Sequence, residues 1–187
     1  MSEFDPQRYL NRLRKTLDSL DAKQIVLLEK KLLRALASGT QVFFAGNGGS
    51  AATASHVACD MDKTILVGKA GKGIRAICLN DNIPLLTAWA NDVGYDCVFS
   101  EGLKNFAHKG DIFIPISASG NSGNILKAIT TAKKMGVETF GMLGFDGGKA
   151  RPLLHDYLLV PSDDYGVIED VHMMVFHLIT DHLKAKR

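Results

Sequence analysis

His56 and Asp60 stand four residues apart in a run that reads as helix, which puts both side chains on one face, about 6 Å apart along the axis. Such a pair suits a divalent metal, and it equally suits an imidazole–carboxylate hydrogen bond on a helix surface. Near the other end of the chain, Glu169, Asp170, His172 and His177 lie among Val171, Met173, Met174, Val175 and Phe176. Ionisable groups on so apolar a segment need partners. A lone histidine there reads as a satisfied core residue, whereas an acid with histidines, added to His56 and Asp60, can complete a His/carboxylate zinc sphere.

Two further runs suit an anion. Gln41–Ala45 reads as a strand and leads into Gly46-Asn47-Gly48-Gly49-Ser50, after which Ala51 opens a helix. Glycines there permit positive φ and close approach of an anion to backbone N–H groups, though a tight structural turn has the same needs. The run lacks the Lys-Ser/Thr of a P-loop and the spacing of a dinucleotide fingerprint, which disfavours nucleotide binding. A later strand flows into Ser117-Ala118-Ser119-Gly120-Asn121-Ser122-Gly123-Asn124, again ahead of a helix. One or two of these side chains would cap that helix, and the rest exceed the need. Hydroxyls beside a helix N-terminus suit a phosphorylated but otherwise uncharged ligand such as a sugar phosphate.

The elements that must position these residues follow from periodicity. Tyr9, Leu10, Leu13, Leu17 and Leu20 recur at helical spacing over Phe4–Leu20; Ile25, Leu28, Leu32 and Leu36 do so from Asp21 to a stop at Gly39. These two stripes cover either the chain's own sheet or copies of themselves. Five short β-rich runs follow, at Gln41–Ala45, Ile74–Leu79, Asp111–Ile116, Val137–Leu143 and Tyr157–Val160, and helical runs at Ala51–Met61, Ile83–Asn91, Cys97–Ala107, Gly123–Met135 and Ile168–Lys186 alternate with them. Consecutive apolar residues, as in Val42-Phe43-Phe44-Ala45, suit a parallel sheet covered on both faces. The expected class is α/β, a three-layer sandwich on a five-stranded parallel sheet. Both anion-type loops then lie at carboxyl ends of strands, where ligands bind. Gly68–Gly73 and Gly144–Arg151 read as loops, the first as the mobile one.

With 187 residues and 46% apolar content, the chain can bury one substantial core, so a single domain over 1–187 is expected, with a helical pair over 1–39 and the α/β core over 40–187. A formal net charge of +2 provides no basic field for nucleic acid. The opening run Met1-Ser2-Glu3-Phe4-Asp5-Pro6 lacks the features of a secretory signal, and no apolar stretch is long enough to span a membrane, so a cytoplasmic protein is expected. Cys59, Cys78 and Cys97 have no C-x-x-C spacing and read as small core residues.

G-N-G-G-S before a helix, then S-x-S-G-N-S, in a chain of this length with two leading helices, resembles the sugar isomerase (SIS) domain of flavodoxin-like type. Within that superfamily, a histidine on the helix after the first loop and another on the last helix resemble the phosphoheptose isomerases. The likeness takes in nearly the whole chain, including Ala90-Asn91-Asp92-Val93-Gly94-Tyr95 and Gly144-Phe145-Asp146-Gly147-Gly148. It implies that Ser50, Ser117, Ser119 and Ser122 contact phosphate or sugar, that Asn47 and Asp92 meet hydroxyls, and that Gly48 and Gly49 belong to the substrate-binding turn. It also implies zinc held by a histidine and a glutamate four apart and by a glutamine and a histidine eight apart, which match His56, Asp60, Glu169 and His177. Asp60 stands where the family has glutamate, and Glu169 where it has glutamine. The shorter Asp60 would lie roughly 1–1.5 Å farther from a substrate in the same pose, and Glu169 could compensate. A helix rise of about 12 Å separates Glu169 from His177, so one metal reaches both only midway between them or across subunits.

The activity implied is isomerisation of sedoheptulose 7-phosphate to D-glycero-D-manno-heptose 7-phosphate through an enediol(ate), in a homotetramer with sites at subunit interfaces. Asp60, His177 and Glu169 are the catalytic candidates, and zinc, or another divalent metal, is the cofactor. The alternatives are isomerisation of another ketose phosphate and a noncatalytic SIS-domain regulator. Members of that regulatory branch lose the acid and the final histidine, which this chain keeps as Asp60 and His177.

Overall fold

The computed structural model describes residues 4–186, so the first three residues of the opening run lie outside the described residues. Helix α1, Pro6–Asp18, starts where the Asp5 carboxylate accepts from the Gln7 N–H and Pro6 needs no partner for a missing N–H. Helix α2, Ala22–Ser38, is capped by Asp21 and stopped by Gly39, whose φ of 73° only glycine adopts cheaply.

Strands β1 (Gln41–Gly46), β2 (Arg75–Cys78), β3 (Ile112–Ser117), β4 (Glu138–Leu143) and β5 (Asp156–Leu159) form one parallel sheet in the order β2-β1-β3-β4-β5. The helices between them are α3 (Gly49–Asp62), α4 (Ile83–Asp92), α5 (Val98–Phe106), α6 (Gly123–Lys134) and α7 (Tyr165–Lys186). The order reverses beside β1, with β2 on one side and β3 on the other, and crevices open at the strand ends at such a point. Alternate residues serve different cores. Val42 and Phe44 pack with Leu28, Leu32 and Phe176 on the α2, α3 and α7 face, while Phe43 and Ala45 pack with Leu103 and Ile129 on the α5 and α6 face. Burial on both faces is the reason these strands read as unbroken apolar runs.

The leading helices cover the chain's own sheet, with Leu28, Leu32 and Ala35 of α2 fully buried and Leu13 and Leu17 of α1 packed on the same core. Helix α1 is also tied to α7, since Tyr9 donates its hydroxyl to Asp170 at 2.6 Å and Arg12 pairs with Asp164 at 2.6 Å. The hydrogen bond to Asp170 is the main reason the Tyr9 hydroxyl is pushed up to about 12. At the opposite end of the sheet, buried Lys31 joins Glu138 to Asp156.

Several expectations change in detail. Helix α3 begins two residues early, at Gly49, and α7 begins at Tyr165 rather than Ile168. Cys97 ends a 3₁₀ turn, Tyr95–Cys97, ahead of α5. The expected loop at 144–151 carries a 3₁₀ turn from Gly148 to Leu153. Cys78 and Cys97 are buried as expected, and burial pushes the Cys78 thiol up to about 12. Cys59 is exposed, because α3 turns it away from the sheet while Ala58 and Asp60 face inward. Among the described residues, no helix is long and apolar enough to cross a membrane.

Candidate active site

The turn after β1 is held by Asn80 at the end of β2, whose Oδ1 accepts from the Gly46 N–H at 3.2 Å and whose Nδ2 donates to the Gly46 carbonyl at 2.9 Å. Gly48, at φ 53° and ψ −123°, makes the reversal into α3. Gly49 opens that helix with no side chain, and a Cβ there would collide with the Glu169 carboxylate. Ser50 is buried one residue on.

The turn after β3 folds on itself. Ser117 Oγ accepts from the Gly120 N–H, and Ser119 Oγ from the Asn121 N–H, each at 3.2 Å. Its floor is the Gly144–Ala150 run: the Gly144 N–H donates to the Ala118 carbonyl and the Ala150 N–H to the Gly120 carbonyl, both at 2.9 Å. Ser122 is the N-cap residue of α6, yet its hydroxyl makes no capping bond and stays free for a ligand. The two turns enclose a cavity of about 170 Å³ lined by Asn47, Ser50, Ser117, Ser119, Ser122, Tyr165 and Glu169, among others. Five of the expected substrate residues thus come together, and Gly48 and Gly49 form the exposed turn beside them. Asp92 does not join them: it ends α4, is exposed, and accepts from Asn91 at 2.8 Å.

Helices α3 and α7 run side by side in the same direction, because Gly49 meets Glu169 near their starts and His56 meets His177 farther on. At this second contact, Asp60 Oδ2 lies 3.5 Å from His56 Nε2 and 3.9 Å from His177 Nε2, and the two imidazole nitrogens are 3.0 Å apart. A tetrahedral zinc site with bonds of 2.0–2.1 Å has edges of about 3.3 Å, so this triangle fits one divalent ion. Two imidazoles and a carboxylate are donor types that zinc takes in catalytic sites.

Glu169, expected as a fourth ligand, lies outside this triangle. Its carboxylate faces Gly49 and the serine cavity, about 12 Å up the helix from His177. His172 and Asp170 also lie elsewhere. His172 is completely buried and donates from Nε2 to the Leu143 carbonyl at 3.1 Å, and burial pushes its imidazole down to about 4, so it is neutral at pH 7. Asp170 holds Tyr9 on another face of α7.

Reading the sequence missed Asn80, Tyr95, Asn124 and Tyr165. Tyr95 donates its hydroxyl to Asn47 at 2.8 Å, and Asn124 pairs with the Asn47 carboxamide. The spacing of Tyr165 from Glu169, one helical turn, was a signal available for the last of these.

Known proteins resemble this chain in sequence and in fold. The model of the SIS domain matches residues 7–144. The phosphoheptose isomerase of Helicobacter pylori strain P12 is 40% identical over 171 residues, covering 90% of this chain and 86% of that protein. The chain belongs to the SIS domain family and, within it, to the phosphoheptose isomerases. A probable phosphoheptose isomerase from Thermoplasma acidophilum is 35% identical over 98% of this chain and 100% of its own length. Among solved structures, the phosphoheptose isomerase of Francisella tularensis superposes with a TM-score of 0.88 at 25% identity, covering 96% of this chain and 94% of that one. The phosphoheptose isomerase of Neisseria gonorrhoeae gives 0.85 at 28%, with the same coverage. Like those phosphoheptose isomerases, this chain is an α/β protein on a five-stranded parallel sheet.

Proposed function

We propose that this chain interconverts sedoheptulose 7-phosphate and D-glycero-D-manno-heptose 7-phosphate through an enediol(ate). The observation that carries the reading is the arrangement along the paired helices α3 and α7, with a serine cavity at their starts and a carboxylate beside two imidazoles farther along. Ser50, Ser117, Ser119 and Ser122 bind the phosphate, aided by the N–H groups that begin α6. Asn47 meets a substrate oxygen. The free Oδ1 of Asp60 takes the carbon-bound proton beside the carbonyl, and His177 moves a proton at the neighbouring oxygen. Glu169 is a second carboxylate on the path, nearer the phosphate. His56, Asp60 and His177 are the residues that would hold a zinc ion, which supplies polarisation of the substrate carbonyl.

A homotetramer with shared sites belongs to the same proposal. Helix α4 leaves Ile83 exposed and Leu85, Leu86 and Trp89 only half-buried, with Leu86 and Trp89 against the core. Exposed Val93, Tyr95 and Phe106 continue that apolar face. Copies would pack there, and a sizing column reads the state. A cytoplasmic location follows from the substrate.

The deciding experiment incubates the purified protein with sedoheptulose 7-phosphate in deuterium oxide. The expected result is aldose product and deuterium on the carbon beside the carbonyl; finding neither, with tight ligand binding, would instead mark a sugar-phosphate-binding regulator.

A further inference from the structure

Asn124 is buried at the start of α6, and its Oδ1 accepts from the backbone N–H of Ile125 at 2.9 Å. A backbone N–H can only donate, so this bond decides which end of the Asn124 carboxamide is oxygen. Asn124 Nδ2 therefore donates to Asn47 Oδ1 at 2.9 Å, and Asn47 Nδ2 donates back to Asn124 Oδ1 at 2.9 Å. The Tyr95 hydroxyl donates to the same Asn47 Oδ1 at 2.8 Å. An amide oxygen has two acceptor positions, and both are now taken; an amide nitrogen has two protons, and one is left. The acceptor end of Asn47 is closed by residues 48 and 77 positions away, while the side chain lines the serine cavity.

We propose that Tyr95 and Asn124 are positioning residues that turn Asn47 into a donor-only contact, so that it recognises an accepting oxygen of the bound sugar phosphate. The pairing also locks the turn after β1 to the start of α6, which keeps the two serine turns in register before ligand arrives. Tyr95 adds a tie from the segment after α4 to the cavity. The inference rests on the sugar-phosphate reading of that cavity.

A double-mutant cycle of Tyr95→Phe and Asn47→Ala tests it, with KM and kcat measured for sedoheptulose 7-phosphate and Kd for the same compound by calorimetry. In the wild-type background, Tyr95→Phe should raise KM and Kd about three- to tenfold and leave kcat within about twofold. In the Asn47→Ala background, it should change them less than about twofold, because the group it positions is gone. Equal effects in both backgrounds overturn the proposal. A wild-type protein that binds the sugar phosphate without turning it over removes the isomerase reading alone, and Kd then judges the cycle. A wild-type protein that does not bind it overturns both. Without ligand, the paired side-chain amide protons of Asn47 and Asn124 should exchange slowly with solvent, and fast exchange of both also counts against the pairing.

Discussion

His56 Nε2 and His177 Nε2 stand 3.0 Å apart although 121 positions separate them in the chain. Two imidazole nitrogens so close to a carboxylate oxygen are a stable arrangement when a proton or a cation lies among them. The first prediction concerns that cation. Alanine at His56 or His177 should remove stoichiometric divalent metal from protein purified without chelators, as read by elemental analysis.

Asp60 is the group whose loss should cost most. Asp60→Asn keeps the shape and removes the base, so kcat should fall by about 10²- to 10⁴-fold. Asp60→Glu restores the family's residue and its reach, and should keep activity within about tenfold of wild type.

Glu169 faces the serine cavity rather than the histidines, so its charge should act on the phosphate. Like charges across a partly solvated pocket repel by about 1 kcal/mol. Glu169→Gln should therefore lower KM about fivefold with kcat little changed. A large fall in kcat would make Glu169 the working base instead.

His172 sets a pH dependence of stability. Burial holds its imidazole at about 4, whereas an unfolded histidine titrates near 6.5. Between these values the unfolded chain binds the extra proton, so stability is full above about pH 6.5 and declines as pH falls toward 4. The difference corresponds to at most roughly 3 kcal/mol. Urea midpoints at pH 7 and 5 should converge in His172→Leu relative to wild type.

Lys31 is buried between Glu138 and Asp156 at the base of the sheet. Burial works against its charge, and the two carboxylates outweigh it, leaving the ammonium raised above its usual range. Lys31→Ala leaves Asp156 and part of Glu138 without a partner and should cost about 3 kcal/mol in urea unfolding.

The sequence by itself determined the α/β class, the five strands, the start of the second helix near Asp21 with its stop at Gly39, and the two serine-bearing turns. Each is written locally, as a repeat of apolar positions or a residue with special backbone freedom, and needs no distant partner to be read. His56 and Asp60 were legible as a pair for the same reason, since four residues make one helical turn.

Tertiary structure decided what depends on which helix lies beside which. Glu169 and His177 share a helix, but only the packing of α7 along α3 sends one to the Gly49 turn and the other to Asp60. Cys59 lies in a run with Val57, Ala58 and Met61 and yet faces solvent, because the helix rotates about 100° per residue while the sequence shows only adjacency. Asn80, Tyr95 and Asn124 reach the first turn from three separate segments, and single polar side chains at the ends of elements carry no periodicity that would announce such contacts. The residue types that can do chemistry are a local property of the chain; their distances are set by how the apolar faces of α3 and α7 bury themselves against the sheet.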